Sequence, residues 1–327
     1  MHKERVLVTG GGGYIGSVLV RMLLREGYRV RILDRFIFGI EPIADILNDP
    51  NLEVVIGDIR NVEDVKKSLK KVDHVVHLAA IVGDPACSVQ ADVAVETNFL
   101  STIRLARLAR DNGIKKFIFA STCSVYGASG DKIIDEKSPT NPVSLYAETK
   151  LDAEKELLAL LDKKPSLTIL RFGTAYGLSP RMRFDLVINY LTKKALIDRE
   201  IKIFGGEQWR PFVHVHDISR AIMLTLGADD DDILHREIFN VGSDGENYQM
   251  KEIGKILRKI IPDTKVEMVE EIKDRRSYRV SFEKIRKKLH YRTTKSIEDG
   301  FLEIKQAIET NEVKDPDNPI YYNHKMI

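Results

Sequence analysis

The stretch Val6–Ser17, VLVTGGGGYIGS, joins a β-rich run to a segment with helical apolar spacing. Its glycines pose a choice between a flexible linker and a ligand-binding turn. ERVLVTG reads as a short strand that stops at glycine, and YIGSVLVRMLLREG as a helix closed by Gly27. Gly10, Gly13 and Gly16 fall three apart, directly after the strand and at the opening of the helix, with Gly11 and Gly12 in variable slots. A helix N-terminus offers unpaired N–H groups and the positive end of a dipole, which suits a pyrophosphate. Glycine permits the tight turn and lets the backbone approach the ligand. The turn, with Gly10, Gly13, Tyr14, Ile15 and Gly16, is therefore read as a dinucleotide site. Asp34 ends the next strand, 18 residues after Gly16, where a carboxylate accepts hydrogen bonds from an adenosine ribose and repels a 2′-phosphate. That favours NAD over NADP, and the neighbouring Arg35 works against the preference.

Outward from the turn, strand and helix alternate. YRVRILD and LEVVIGD read as strands, NVEDVKKSLKK as a helix capped by Asn61, and VDHVVHLAA as a fourth strand. A long helix over about Ala91 to Asn112, closed by Gly113, precedes KKFIFAST. The helix VSLYAETKLDAEKELLALL then leads into SLTILRFG. Six strands alternating with helices imply an α/β fold, a Rossmann-type doubly wound parallel sheet with helices on both faces. The expected division is a dinucleotide-binding domain over 1–172, also receiving about 211–228, and a smaller α+β substrate region over 173–327.

The 327 residues suffice for a real core. A formal net charge of +2 spreads no strong field, so neither nucleic acid nor an acidic membrane surface is an expected partner. The Lys66-Lys67 and Lys70-Lys71 pairs interleave with acidic residues as a solvated helix face. Two cysteines, Cys87 and Cys123, without CxxC spacing, argue against a disulfide framework and for a reducing, cytoplasmic setting. MHKERVLVTG has no apolar core of a signal peptide, and no run approaches the roughly 18 apolar residues of a membrane span. The acidic run Asp229–Asp232 is expected as a surface loop. His214 and His216 alternate on one strand face beside Asp217, but no metal is expected there.

Further motifs follow in order: GDIR (Gly57–Arg60), HLAA (His77–Ala80), STCSVYG (Ser121–Gly127) and YAETK (Tyr146–Lys150), then LRFGTAYG, RPFVHVHD and FNVGS. With the three-residue glycine spacing, this series resembles the extended short-chain dehydrogenase/reductase family. Within it, the series is similar to the NAD-dependent nucleotide-sugar epimerase/dehydratase branch, UDP-glucose 4-epimerase-like, over about residues 4–310.

Tyr146 and Lys150 lie four apart on an expected helix, hence on one face. A free tyrosine, with a pKa of about 10, is a poor base at neutral pH. Lowering it by roughly three units takes about 4 kcal/mol of interaction with the ionised form, which a fixed ammonium can supply. The resemblance implies that Tyr146 takes the proton of a sugar hydroxyl, that Lys150 lowers its pKa and binds the nicotinamide ribose, and that NAD accepts the hydride. It implies Thr122 as the hydroxyl that bonds the reacting oxygen, with Ser121 and Ser124 as neighbours able to substitute. It places Asp58 and Ile59 at the adenine, Leu78, Ala79 and Ala80 along the cofactor, and Asn98 near the active site. On the substrate side it implies Arg210, Arg276 (with Arg275 as its rival in register), Arg181 and Arg183, whose forked donors suit phosphate. Thr174 stands where many relatives carry Asn.

Dehydratases of this family place an Asp-Glu pair directly after the hydroxyl residue. Cys123 and Ser124 stand there, which counts against elimination of water. The Cys of 3,5-epimerase/reductase relatives lies two residues after the hydroxyl, not one, so Cys123 reads as a small buried residue, as does Cys87. The expected function is NAD-dependent oxidoreduction at C4 of a nucleotide-diphosphate sugar, as a 4-epimerase. The alternatives are a net C4 dehydrogenase or ketoreductase, then a 4,6-dehydratase. A non-enzymatic NAD-binding sensor or scaffold is the remaining one. The resemblance also implies a homodimer formed through a helix bundle of the long helix and the Tyr146 helix.

Overall fold

Val6, Leu7 and Val8 are wholly buried in β1 (Arg5–Thr9), so both faces of this strand are covered, as an unbroken apolar run in a parallel sheet requires. The structure is a computed structural model and describes residues 4–228, 234–271 and 276–326. The run Asp229–Asp232 lies outside the described residues.

Beside β1 lie β2 (Arg29–Asp34), β3 (Leu52–Ile56), β4 (His74–His77) and β5 (Lys116–Thr122). Next come a peripheral β6 (Ala128–Ile134), β7 (Ser166–Phe172), β8 (Thr174–Tyr176), β9 (Glu200–Phe204), β10 (Trp209–His214) and β11 (Glu237–Val241). Seven of these form one sheet in the order β11-β7-β5-β4-β1-β2-β3, every pair parallel. The chain reverses its direction of travel between β1 and β4. In such sheets the crevice at the carboxyl ends of the reversal strands is where a ligand binds.

The helices that cover the first part of the sheet are α1 (Tyr14–Arg25), α2 (Val62–Leu69), α3 (Asp84–Val89), α4 (Ala91–Val95), α5 (Ser101–Asp111) and α6 (Leu145–Leu160). Their ends follow local chemistry. Gly27, at φ +77°, closes α1, and the Asn61 side-chain oxygen accepts from the N–H groups of Glu63 and Asp64 to open α2. The long helix expected over 91–112 is divided: a π-helical turn, Glu96–Leu100, separates α4 from α5.

The second part adds α7 (Val187–Ile197), α8 (Val215–Gly227), α9 (Met250–Ile260), α10 (Glu283–Leu289), α11 (Ile297–Glu309) and the single turn α12 (Asn323–Met326), with β12 (Asn247–Gln249), β13 (Lys265–Val269) and β14 (Ser277–Val280). It has its own apolar core, which includes Ile188, Leu191, Ile203, Ile253, Leu257 and Phe301. The segment 211–228 divides between the two parts. Its strand, β10, pairs with β8 and β12 and not with the central sheet, whereas its helix, α8, packs on α1. The strand that returns to the central sheet is β11, through parallel pairing with β7.

Candidate active site

The carboxyl ends of the central strands open into a cleft of about 960 Å³ lined from both parts of the chain. The glycine turn forms its floor. Gly10 has φ +75°, and a Cβ there would meet the Ala79 backbone nitrogen at 2.8 Å; a Cβ on Gly16 would lie far inside van der Waals contact with the Gly10 carbonyl oxygen. Gly11 and Gly12, in the motif's variable slots, are confined too. Their added Cβ atoms would lie 2.7 Å from the Ile32 side chain and 2.7 Å from the Phe36 ring. Gly13 is the N-cap of α1 and no side chain caps the helix, which leaves its leading N–H groups to a ligand. These are the features of a cradle for the phosphates of a dinucleotide, and the residues present fit one.

Asp34 accepts from the Gly12 N–H at 2.9 Å and from the Phe36 N–H at 2.8 Å. Burial pushes its carboxyl up, and the backbone donors oppose that. Arg35 is engaged by Asp58, Nε to Oδ2 at 3.3 Å, and Asp58 is also held by Arg60. Asp58, Ile59, Leu78, Ala79 and Ala80 line the cleft together with the turn residues. Asn98 does not. It is fully buried at the π-helical turn, where its side chain accepts from the Ile81 N–H at 2.8 Å and donates to the Ile81 carbonyl at 2.9 Å. It shapes the loop after β4 from behind.

Thr122, Tyr146 and Lys150 all line this cleft. Thr122 ends β5 and accepts from the Ser124 N–H through its hydroxyl. Ser144 caps α6, and so the first turns of that helix carry Tyr146 and Lys150 into the cleft wall. The electrostatics differ from the expectation for this pair. Lys150 Nζ donates to the Ala120 carbonyl at 2.9 Å, and burial depresses the ammonium to about 8. Burial pushes the Tyr146 phenol up; the nearby Cys87 and Asp84 add to the rise, and Arg183 and Arg276 oppose it. In the protein alone, desolvation outweighs the cations, and a base at Tyr146 depends on charge arriving with the ligands.

The arginines divide. Arg210 is buried, donates to the Arg276 carbonyl and lies over the Tyr278 ring. Arg276 pairs with Asp84 at 3.2 Å; its rival Arg275 lies outside the described residues. Arg183 is bound by Asp185 in a two-pronged pair at 2.9 Å. Arg181, expected beside the substrate, stacks on Phe38 at 3.7 Å from the ring centroid, and its charge acts on Asp34. It stands towards the dinucleotide end of the cleft. Thr174 lines the cleft on β8.

Several residues of the site belong to none of the sequence motifs. Glu154, one turn beyond Lys150, forms a buried ion pair with Arg171 and accepts from the Ser121 hydroxyl. It braces β5 behind Thr122, and its i+4 spacing from Lys150 was a usable signal. Asp84 and the cleft-lining Tyr322, Asn323, His324 and Met326 carried no motif. Asp217 binds the Thr294 and Lys295 N–H groups, and the His214 ring meets Glu303. Among the described residues no three His, Cys, Asp or Glu are grouped to hold a metal ion, and no helix is long and apolar enough to cross a membrane.

A parallel doubly wound sheet with an uncapped glycine turn, an acidic end to β2, and a Tyr-Lys pair at the same cleft defines a dinucleotide-dependent oxidoreductase. The NAD dependent epimerase/dehydratase family matches residues 6–242, and the chain belongs to that family of NAD-dependent enzymes. It is 32% identical to a putative UDP-glucose 4-epimerase of Methanocaldococcus jannaschii, over 77% of this chain and 81% of the relative. It is 30% identical to the dTDP-D-glucose 4,6-dehydratase of Mus musculus, over 81% and 75%. Among solved structures, MoeE5 in complex with UDP-glucose and NAD superposes with a TM-score of 0.81 at 29% identity, covering 94% of this chain and 99% of that one.

Proposed function

We propose that the protein is a nucleotide-sugar 4-epimerase that takes a hydride from C4 of a nucleotide-diphosphate hexose and returns it to the other face. Bound NAD supplies the hydride acceptor. Tyr146 removes the C4 hydroxyl proton, Thr122 hydrogen-bonds the same oxygen, and Lys150 holds positive charge near the phenolate and the nicotinamide ribose. Arg210, Arg276 and Thr174 face the nucleotide diphosphate, within a substrate region that starts at Gly173. Arg181 serves the cofactor end.

The observation that carries the choice of reaction is the cleft's lack, among the described residues, of a free acid-base pair beside Thr122. Cys123 is wholly buried, with its thiol against the Arg171 carbonyl at 3.3 Å, and burial pushes that thiol up. Cys87 is pushed up to about 11 for the same reason. Asp84 and Asp185 are both held in ion pairs with arginine. Water elimination needs a proton donor and an acceptor that epimerisation does not.

Exposed Val89, Leu100 and Val143, near α4, α5 and the start of α6, support a homodimer through these helices. Two free, buried cysteines support a cytoplasmic setting.

Incubation with UDP-, dTDP-, GDP- and CDP-hexoses, followed by NMR and absorbance at 340 nm, tests the reading. A C4 epimer without net NADH is expected. Net NADH without epimer means a dehydrogenase, and a 4-keto-6-deoxy product means a dehydratase. Tyr146→Phe is expected to abolish turnover and to keep NADH binding; a Tyr146→Phe variant with parental turnover removes Tyr146 as the base.

A further inference from the structure

The segment Val313–Met326 lies beyond the residues matched by the family and packs back onto the cleft. Val313 and Tyr322 are buried with Tyr14, Met182 and Phe184. The Phe184 N–H donates to the Tyr321 carbonyl at 3.0 Å. Lys193 donates to the Tyr322 hydroxyl at 2.6 Å and pairs with Asp317. Such a segment has more fixing it than the usual frayed terminus.

Asn323, 7% exposed, uses each of its polar groups on a different part of the cleft wall. Its Oδ1 accepts from Arg181 Nη2 at 2.8 Å, its Nδ2 donates to the Val82 carbonyl at 3.2 Å, and its backbone N–H donates to Asp185 Oδ2 at 3.3 Å. Val82 belongs to the loop after β4, on the dinucleotide side. Arg181 and Asp185 belong to the loop after β8, in the second part of the chain. One side chain therefore joins the two loops.

Arg181 explains what the span encloses. It is 4% exposed, and its Nε has no partner among the described residues. The nearby carboxylate of Asp185 is taken by both prongs of Arg183. Burial and the neighbouring Arg183 hold the guanidinium down to about 9. A buried cation without a full partner is costly unless an anion joins it. Phe38 on its face and the nearby carboxylate of Asp34 place it at the cofactor's end of the cleft.

We propose that segment 313–326 is a clasp over the cofactor, in which Asn323 is a positioning residue that ties the Val82 loop to Arg181, so that NAD(H) leaves when this tie opens. The inference rests on NAD as the cofactor and not on which sugar reaction follows. It suits an enzyme that returns the hydride to its substrate and gains nothing by exchanging the cofactor each turnover.

The test is NADH release from the full chain, followed by fluorescence after a chase with excess NAD, for the parent, Asn323→Ala and Asn323→Asp. Asn323→Asp keeps an acceptor for Arg181 and loses the donor to Val82, so it isolates the cross-cleft tie and decides the matter if Asn323→Ala does not fold. Asn323→Asp is expected to release NADH about fivefold faster, the scale of one neutral hydrogen bond, and Asn323→Ala faster still, because it also loses the charge-assisted bond to Arg181. UDP affinity is expected to stay at the parental value in both variants, and the melting temperature of the cofactor-free protein to stay there in Asn323→Asp, whose carboxylate still pairs with Arg181. Parental release rates in Asn323→Asp overturn the proposal. So does faster release that merely accompanies a lower melting temperature and an equal loss of UDP affinity, because that is the behaviour of a structural contact.

Discussion

Lys150 shows how far a functional residue stands from its most stable choice. It is 2% exposed, donates to the Ala120 carbonyl and lies 4.7 Å from the centre of the Phe119 ring. Its ammonium is depressed to about 8 by burial. The unfolded chain holds that proton to about pH 10, whereas the folded protein releases it from about pH 8. Between those values the unfolded state binds more protons, so stability rises with pH; below about pH 8 the buried charge penalises folding in full, by roughly 3 kcal/mol. Lys150→Met keeps the length and removes the charge, while the Ala120 carbonyl loses its donor at a cost of about 1–2 kcal/mol. The cofactor-free variant is therefore expected to be inactive yet about 1–2 kcal/mol more stable than the parent at pH 7. The gap should close by about pH 10. Urea unfolding across pH reads this, and a gap independent of pH would refute the depressed ammonium. Tyr146 belongs to the same account: burial pushes its phenol up, the cations of the cleft oppose the rise, and charge that arrives with the ligands must add to theirs to make it a working base.

At the scale of elements, the glycine turn binds a ligand because of contacts that no other residue could make. Gly16→Ala drives a Cβ into the Gly10 carbonyl, backbone against backbone, and Gly11→Ala pushes on Ile32. Gly227 at the end of α8 has nothing within 4 Å of an added Cβ. Gly16→Ala is expected to cost more than about 2 kcal/mol and to abolish NADH binding, whereas Gly227→Ala is expected to be neutral or to stabilise by up to about 1 kcal/mol. Thermal melts and NADH titration compare the two, and equal behaviour would show that the turn can relax. The same contrast explains what could be read from the chain. The strand and helix runs, the closing Gly27 and Gly113 and the Asn61 cap are local patterns, and they were legible. The π-helical turn at 96–100 was not, because it accompanies the grip of Asn98 on Ile81, 17 residues away. The pairing of β11 with β7, and of β10 with β8 and β12, depends on which distant partners complete a sheet. Apolar alternation marks a strand without naming its neighbour.

Across the whole molecule, the cleft lies between two parts of the chain, and polar contacts cross it. Asn323 joins Arg181 across 142 residues. Asp84, at the start of α3, meets Arg276, beside β14, at 3.2 Å. Neither pairing leaves a trace in local sequence, which is why Asp84 escaped notice when Arg276 did not. The second pair has a consequence for binding. Arg276 is an arginine proposed to meet the substrate's diphosphate, and in the protein alone Asp84 holds it with a carboxylate. An entering diphosphate must compete with that carboxylate for the same guanidinium. Asp84→Asn removes the competing charge and keeps the shape of the side chain. Its affinity for UDP is expected to rise about two- to fivefold, the scale of one partly exposed ion pair. Because the competition is between charges that water still reaches, the gain should shrink as salt is raised. Calorimetric titration of UDP at low and high ionic strength measures both effects. An unchanged or weaker affinity in Asp84→Asn would mean that the carboxylate positions Arg276 for the diphosphate and does not stand in its place.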